Sequence, residues 1–248
     1  MIDLDFWSYA AVHRRVIETI PQIRQFPIDA VTYIPRGGSA IAAIVCQILD
    51  VPLLASIDEP RTDPTRVLLV DDMIVSGRSL ADFRHRFPQR LAGVPTYVFA
   101  SVPQDRPDDT AVDIVSITVD PRRYFLLPWE IGDIFRPTFP FSTLVEIDGV
   151  IRSPRPPERA ILSTSHEIPH LLSFGHDEAG DRRWLTSHGY RCHRLTSLPN
   201  PADAKRLADL IRDNGIRFYL GSDARRGAIL KQICPTCHVV VFPGMVEI

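Results

Sequence analysis

The sequence predicts an α/β protein of two domains, each a mainly parallel sheet flanked by helices. Short apolar runs such as VTYI (31–34) and VLLV (67–70) alternate with stretches of helical spacing, a pattern typical of β-α units around a parallel sheet. Prolines in RPTFPFS (136–142) interrupt this alternation, and a second series of the same kind follows. The 248 residues suit either one large domain or two domains of ordinary size. We therefore predict domains at 1–138 and 139–248.

The first series opens with a helix. Val12, Val16, Ile20 and Ile23 form one apolar stripe, which predicts a helix over 6–25. The strands predicted after it are 31–34, 52–55, 67–70 and 96–100, with helices at 39–49 and 79–87 and two extra strands at 112–119 and 124–127.

The second series is predicted to contain strands at 144–147 and 160–163 and helices at 177–188 and 202–213. RFYLGSD (217–223), a last helix and a strand at 239–242 close it. Three histidines lie between the strand at 160–163 and the helix at 177–188, and they are interpreted as loop or surface residues: His166, His170 and His176. Pro169 and Gly175 interrupt any helical face that these histidines could share.

Composition excludes several classes of protein. A formal net charge of −2 argues against a nucleic-acid binder with a basic surface. No apolar run approaches the roughly 18 residues of a membrane span, and the acidic start MIDLDFW does not resemble a signal peptide. We expect a cytoplasmic protein without nucleic-acid or membrane partners. Lysine occurs only at positions 205 and 231, so no earlier lysine is available for catalysis.

The first candidate site follows the apolar run at 67–70. Asp71 and Asp72 stand where this strand is expected to end, and ligands of α/β sheets bind beyond the carboxyl ends of strands. SGRS (76–79) then opens a helix, whose N–H groups and hydroxyls suit a phosphate. Acids for a polyol and a loop for a phosphate together predict a ribose 5-phosphate site.

VLLVDDMIVSGRS (67–79) resembles the phosphoribosyl-pyrophosphate (PRPP) motif of type I phosphoribosyltransferases, and PRGG (35–38) resembles their pyrophosphate loop. The resemblance extends over residues 1 to about 135. It implies the type I phosphoribosyltransferase fold, catalytic acids at Asp71 and Asp72, and bound Mg²⁺. The PRPP-binding residues it implies are Arg36, Gly37, Gly38, Asp71, Asp72, Ser76, Gly77, Arg78 and Ser79.

The part of this site that faces the base departs from the 6-oxopurine enzymes. LLPWEIG (126–132) resembles the hood of bacterial xanthine–guanine enzymes, which implies that Trp129 lies against the base. The family's aspartate before the phosphate loop is replaced by Val75, and the lysine near its next strand is replaced by Ser101. The segment available as a mobile loop, 56–66, is short. The sequence therefore predicts the sugar phosphate but leaves the base open.

The second candidate site is LVEIDGVI (144–151), which resembles motif one of the haloacid dehalogenase (HAD) superfamily. The resemblance implies a HAD/Rossmann-like fold with little or no cap. It places Glu146 at the nucleophile position, where the family has aspartate, and Asp148 at the general acid/base position. One extra methylene displaces the attacking oxygen by more than an ångström, on a scale where rates fall about a hundredfold.

The other HAD motifs are matched in order along the chain. Ser163 and Thr164 in AILSTS (160–165) match the phosphate-binding second motif, and Lys205 matches the cation of the third. Asp223 in RFYLGSD (217–223) matches the fourth motif and implies a Mg²⁺ ligand. The implied metal set is Glu146, Asp148 and Asp223.

The function predicted from both resemblances is a PRPP-dependent, Mg²⁺-assisted phosphoribosyltransferase that exchanges a nucleobase and pyrophosphate on ribose 5-phosphate. Its ligands are PRPP or a nucleoside 5'-monophosphate and a nucleobase, and a homodimer is one expectation for its assembly. The HAD-like domain is expected to have weak, altered or absent phosphatase activity. Two alternatives stay open: a non-catalytic PRPP- or nucleotide-binding regulator, and a HAD-type nucleotide phosphohydrolase.

Overall fold

The computed structural model describes residues 3–35, 37–55, 57, 66–103, 110–135, 139, 141–152, 167–175, 177–242 and 246–247. The chain forms two compact units, residues 10–125 and residues 1–9 together with 126–248. These units differ from the predicted spans 1–138 and 139–248, which stay a prediction. Within the described residues, no helix has the length and apolar character required to cross a membrane.

The elements up to residue 126 follow the predicted series of helices and strands, with β1 and α4 in addition. They are β1 (Asp3–Phe6), α1 (Tyr9–Ile23), β2 (Ala30–Tyr33), α2 (Gly38–Leu49), β3 (Val67–Ile74), α3 (Arg78–Arg86), α4 (Pro88–Leu91), β4 (Thr96–Ser101), β5 (Ile114–Thr118) and β6 (Arg123–Leu126). The apolar stripe of α1 is buried as predicted. The N–H of Trp7 donates to the carbonyl oxygen of Leu126 at 3.0 Å, which joins the N-terminal segment to residues 126–248.

The sheet of the 10–125 unit has the order β2-β3-β4-β5, and all its pairings are parallel. The strand predicted at 52–55 is reduced to a single bridge between Val31 and Leu53. Pro52 has no N–H to donate; it only accepts, from the N–H of Val31 at 3.0 Å.

Strand β3 is longer than the sequence suggests. It continues through both acids to Ile74 and stays paired with β4, with Asp71 opposite Val98. On the other side, pairing with β2 ends at Val70, opposite Tyr33. The acids are therefore inside a strand, just beyond the point where its pairing with β2 ends.

The second unit contains the remaining elements. They are a 3₁₀ helix (Pro128–Phe135), β7 (Thr143–Glu146), β8 (Glu167–Phe174), α5 (Glu178–Ser187), β9 (Arg191–Leu198), α6 (Ala204–Asp213), β10 (Phe218–Gly221), α7 (Ala224–Ile233), β11 (His238–Val241) and β12 (Val246–Glu247). Their sheet has the order β12-β11-β10-β7-β8-β9, in which only β12 is antiparallel. The predicted α/β class, with mainly parallel sheets flanked by helices, is confirmed.

This order places β7 next to β10, although β8 and β9 lie between them in the chain. The chain therefore runs outward on one side of β7 and then returns to the other side. A reversal of this kind is a topological switch point, and ligands of open α/β sheets bind at the carboxyl ends of the strands there.

Strand β8 corrects the interpretation of one histidine. His170 lies in this strand and is buried, and its Nε2 lies 2.8 Å from Thr196 Oγ1. Pro169 has no N–H to donate to a ladder, but β7 pairs with β8 only from Leu171 onward, so the proline does not interrupt that ladder. His166, His176 and the strand predicted at 160–163 lie outside the described residues.

Candidate functional sites

Asp71 and Asp72 have different neighbours because successive residues of a strand point to opposite faces. Asp71 lines a cavity of about 160 Å³ together with Met73 and residues 74–80. Asp72 packs against the start of α2, where a Cβ added to Gly37 would lie 1.6 Å from Asp72 Oδ2. The predicted acid pair therefore divides between two places: one carboxyl group enters the cavity and the other packs against the 37–38 turn.

The predicted pyrophosphate loop needs its glycines for close packing. A Cβ at Gly38 would lie 2.7 Å from the carbonyl oxygen of Val70, so α2 begins almost in contact with β3. Arg36, the charged residue predicted in this loop, lies outside the described residues.

The predicted phosphate loop forms the rest of the cavity wall. Gly77 has a φ of +77° and precedes α3, and the one side-chain acceptor at this helix start is Ser76 Oγ, 3.4 Å from the N–H of Arg78, among the residues that the structure describes. The first N–H groups of an α-helix have no partner within the helix, so they are suited to an anion. Ser76, Arg78 and Ser79 are exposed around them, and the cavity brings all four predicted residues close to Asp71.

The charge on Asp71 is poorly compensated. Burial, and then repulsion from Asp72, raises the pKa of Asp71 to about 8. Its Oδ1 accepts a hydrogen bond from the N–H of Asp72 at 3.0 Å, which does not offset the burial. A cation or hydroxyl donors arriving in the cavity would therefore interact favourably with this carboxylate.

The residues predicted near the base belong to three separate parts of the chain. Val75 is 44% exposed, and Ser101 is buried at the end of β4 opposite Ile74. Trp129 lies in the 3₁₀ helix, half-buried, with its ring centroid 6.3 Å from that of Tyr9. Its base-binding role stays a prediction.

Glu146 is at the switch point of the second unit and is fully buried. Its Oε1 accepts from the hydroxyl of Tyr219 and forms a 2.6 Å ion pair with Arg226 Nη2. Its Oε2 accepts from both the N–H and the hydroxyl of Ser222, each at 2.8 Å. Burial, and then the charge of Glu146, raises the pKa of Tyr219 well above its usual value, so this phenol is a neutral donor.

Asp148 is engaged elsewhere, in a half-buried ion pair with Arg152 at 2.6 Å. Arg152 also contacts Asp181 at 3.0 Å and lies over the ring of Trp184, 5.4 Å from its centroid. Gly149, with a φ of +81°, allows the chain to pass Ser222, whose Cβ a side chain at 149 would approach to 2.4 Å.

Asp223 is the N-cap of α7, because its Oδ1 accepts from the N–H of Arg226 at 3.0 Å. That hydrogen bond is the main cause of its lowered pKa. Lys205 is exposed in the first turn of α6, and Ser163 and Thr164 lie outside the described residues. No cluster of three or more His, Cys, Asp or Glu side chains suited to a metal occurs among the residues that the structure describes.

Sequence reasoning missed the residues that hold Glu146. Tyr219, Ser222 and Arg226 belong to the RFYLGSDARR stretch (217–226), from which only Asp223 was selected. The arginine three residues after GSD could have indicated an ion pair across the sheet edge. Ser173 was also missed: it is the penultimate residue of β8, and its hydroxyl donates to Asp181.

A second cavity, of about 390 Å³, lies at the start of helices α6 and α7. Its lining residues are Pro201, Ala202, Ala204, Asp223, Arg225, Arg226 and Ile229.

No protein-family model and no curated protein matches this sequence. Among solved structures, a purine phosphoribosyltransferase from Pyrococcus horikoshii is 21% identical, covers 52% of this chain and 95% of its own, and has a TM-score of 0.42. A xanthine-guanine-hypoxanthine phosphoribosyltransferase from Helicobacter pylori is 18% identical, covers 52% of this chain and 94% of its own, and has a TM-score of 0.41. A hypothetical protein from Neisseria gonorrhoeae with bound ppGpp is 16% identical, covers 56% of this chain and 93% of its own, and has a TM-score of 0.40. Since these TM-scores are below 0.5, function is inferred below from the residues of this chain.

Proposed function

We propose that residues 10–125 bind PRPP and act as a phosphoribosyltransferase, exchanging a nucleobase and pyrophosphate on ribose 5-phosphate. The observation that carries this proposal is the single cavity shared by Asp71 and the 76–79 loop. Its acid suits the ribose hydroxyls, and its loop and helix start suit the 5-phosphate. Attack at the anomeric carbon passes through a state with oxocarbenium character, so positioning of the ribose supplies much of the catalysis.

The donor set fits Mg²⁺ in this cavity. Mg²⁺ is usually held by one or two carboxylates together with substrate phosphates, and the raised pKa of Asp71 identifies a carboxylate whose charge lacks compensation. Asp71 would hold the ion together with substrate oxygens, and the ion would neutralise charge on the leaving pyrophosphate. Asp72, packed against Gly37, fixes the turn that precedes α2.

The base is not a 6-oxopurine of the usual kind in this proposal. Val75 offers no carboxylate for the base's proton, and Ser101 in place of a lysine offers a hydroxyl at the end of β4. A hydroxyl both donates and accepts hydrogen bonds, so it does not select a 6-oxo group as an ammonium group would.

A second candidate function is a regulator that binds PRPP without turnover. Val75 favours it, since the position carries no acid or base beside the loop. The residues of the second unit resemble the HAD motifs, but the engaged carboxylate of Glu146 argues against a phosphohydrolase. The nucleophile and Mg²⁺ roles of Glu146, Asp148 and Asp223 stay predictions. A homodimer also stays a prediction.

The test combines binding with turnover. The purified protein is titrated with PRPP and Mg²⁺ by calorimetry and then incubated with a panel of purine and pyrimidine bases, with pyrophosphate and nucleotide followed. The Asp71→Asn/Asp72→Asn variant should lose binding, while Asp120→Asn, which removes an exposed partner of Arg122 in the same unit, should retain it.

The outcomes separate the two candidates. PRPP binding with turnover of one base supports the transferase. Binding without turnover of any base supports the regulator. Wild-type protein that fails to bind PRPP contradicts both.

A further inference from the structure

The carboxylate of Glu146 has its acceptor positions filled. A carboxylate offers about four acceptor sites on its two oxygens, and three residues hold Glu146 by three hydrogen bonds and one ion pair. The hydroxyl of Tyr219 donates to Oε1, which also forms the ion pair with Arg226. The N–H and the hydroxyl of Ser222 donate to Oε2. The hydroxyl of Ser222 also lies 3.1 Å from the carbonyl oxygen of Asp148. A metal ion could reach Glu146 only by displacing one of these donors.

Arg226 is the cation of this network and is fixed in place. Its Nη2 lies 2.6 Å from Glu146, and its Nη1 donates to the carbonyl oxygen of Pro201 at 3.2 Å. Its guanidinium carbon lies 4.2 Å from the ring centroid of Phe174, a cation–π contact. The side chain is only 9% exposed, so one positive and one negative charge are buried together.

The donor set therefore does not fit the Mg²⁺ that the HAD resemblance implies. Asp223 is engaged as the cap of α7, and Asp148 pairs with Arg152. We propose that Arg226 is the resident cation of this sheet edge: its guanidinium gives Glu146 the positive charge that a divalent metal would give. This proposal concerns residues 126–248 and does not rest on PRPP binding by residues 10–125.

The proposal also explains why position 146 carries a glutamate. The extra methylene carries the carboxylate about 1.5 Å further than an aspartate would reach. That reach brings it to the phenol of Tyr219 in β10 and to Arg226 in the first turn of α7. On this basis Glu146→Asp loosens the ion pair and does not create a nucleophile.

The test measures metal binding in protein whose first acid pair has been removed. In an Asp71→Asn/Asp72→Asn background, Mn²⁺ is titrated and free Mn²⁺ is followed by electron paramagnetic resonance. We expect no stoichiometric site with a Kd below about 1 mM, a weak limit for an oxygen-ligand site. Adding Arg226→Met should create one bound Mn²⁺, with affinity at least about tenfold above that limit. Arg226→Lys, which keeps the charge, should bind none.

Two results would overturn the proposal. One is a stoichiometric Mn²⁺ site in the background protein that Glu146→Gln removes. The other is an Arg226→Met protein that folds, as judged by circular dichroism, and still binds no Mn²⁺. If Arg226→Met does not fold, the measurement on the background protein decides alone.

Discussion

Two strands of this protein carry acids, and the surroundings of these acids are opposite. Inside β3, Asp71 lines a cavity, and burial raises its pKa to about 8. At the end of β7, Glu146 is completely buried and is held by Tyr219, Ser222 and Arg226. An acid whose charge lacks compensation is suited to a ligand, whereas an acid with all its partners stabilises the fold. The apolar-run-plus-acid pattern alone does not separate these two roles.

The largest expected effect is at the closed site. Glu146→Gln removes one charge of a buried pair and leaves Arg226 uncompensated, and we expect a loss of about 3–5 kcal/mol in the free energy of unfolding. The amide nitrogen would also face the N–H or hydroxyl donors of Ser222 and Tyr219. Urea denaturation followed by circular dichroism measures the loss.

The matched control makes the same change in an exposed pair of the same unit. Glu178→Gln in α5 breaks a 2.8 Å ion pair with Arg182, and both side chains of this pair are half-exposed. The variant should lose less than about 0.5 kcal/mol in the free energy of unfolding. Equal losses for the two variants would show that burial gives Glu146 no special structural weight.

The open site should respond in the opposite direction, through pH. The folded state keeps the proton of Asp71 up to about pH 8, whereas the unfolded chain releases it near the ordinary value of 3.8. Unfolding therefore releases a proton in this range, and stability falls as pH rises. Asp71→Asn should match wild-type stability near pH 4 and exceed it increasingly toward pH 8, with a slope approaching about 1.4 kcal/mol per pH unit.

Denaturation of both proteins at several pH values measures this difference. Stabilities that stay parallel between pH 4 and pH 8 would mean that the charge of Asp71 is compensated in the folded protein. Asp71→Asn should at the same time weaken PRPP binding. Asp71 would then contribute to ligand binding and lower the stability of the folded protein.

Periodicity predicted the elements whose pattern was local. The stripe Val12, Val16, Ile20 and Ile23 gave α1 correctly, and the apolar runs gave β2, β3, β4, β7 and β11 within a few residues. Strand β8 was not predicted. It accommodates Pro169 because the pairing with β7 is offset and begins only at Leu171. Offsets between strands depend on the sheet, so local sequence does not contain them.

The sites show the same limit. Residues adjacent in sequence, Asp71 and the 76–79 loop, were predicted together and lie around one cavity. The partners of Glu146 come from residues 219–226, more than seventy positions away. They meet Glu146 because the strand order places β10 beside β7. No spacing in the sequence announces that order.

A smaller effect is expected at the phosphate loop. Gly77 and Gly93 have nearly the same positive φ, +77° and +72°, but their surroundings differ. A Cβ at Gly77 would lie 2.6 Å from the side chain of Thr110, whereas nothing lies within 4 Å of a Cβ at Gly93. Both alanine variants should lose about 1 kcal/mol of stability from backbone strain, and only Gly77→Ala should also shift the loop.

PRPP calorimetry distinguishes them. We expect Gly77→Ala to weaken binding at least about tenfold, on the scale of one lost anion contact of roughly 1.4 kcal/mol, with Gly93→Ala unchanged. An equal reduction in both variants would mean that the loop is not the phosphate site and that general destabilisation explains the loss.

The smallest effect concerns Asp223, for which the chain has an equivalent residue at another helix. Asp223 caps α7 and Asp203 caps α6, each accepting from an N–H three residues on at 3.0 Å. If both are only caps, Asp223→Ala and Asp203→Ala should each lose about 1 kcal/mol, since removing an N-cap acceptor has this typical effect. Asparagine at either position should retain most of this stability.

Thermal denaturation with and without Mg²⁺ at matched ionic strength then decides whether Asp223 also binds a metal. A Mg²⁺-dependent stabilisation that Asp223→Asn removes and Asp203→Asn leaves intact would assign a metal to the second unit after all. That result would contradict Arg226 as the resident cation of this edge.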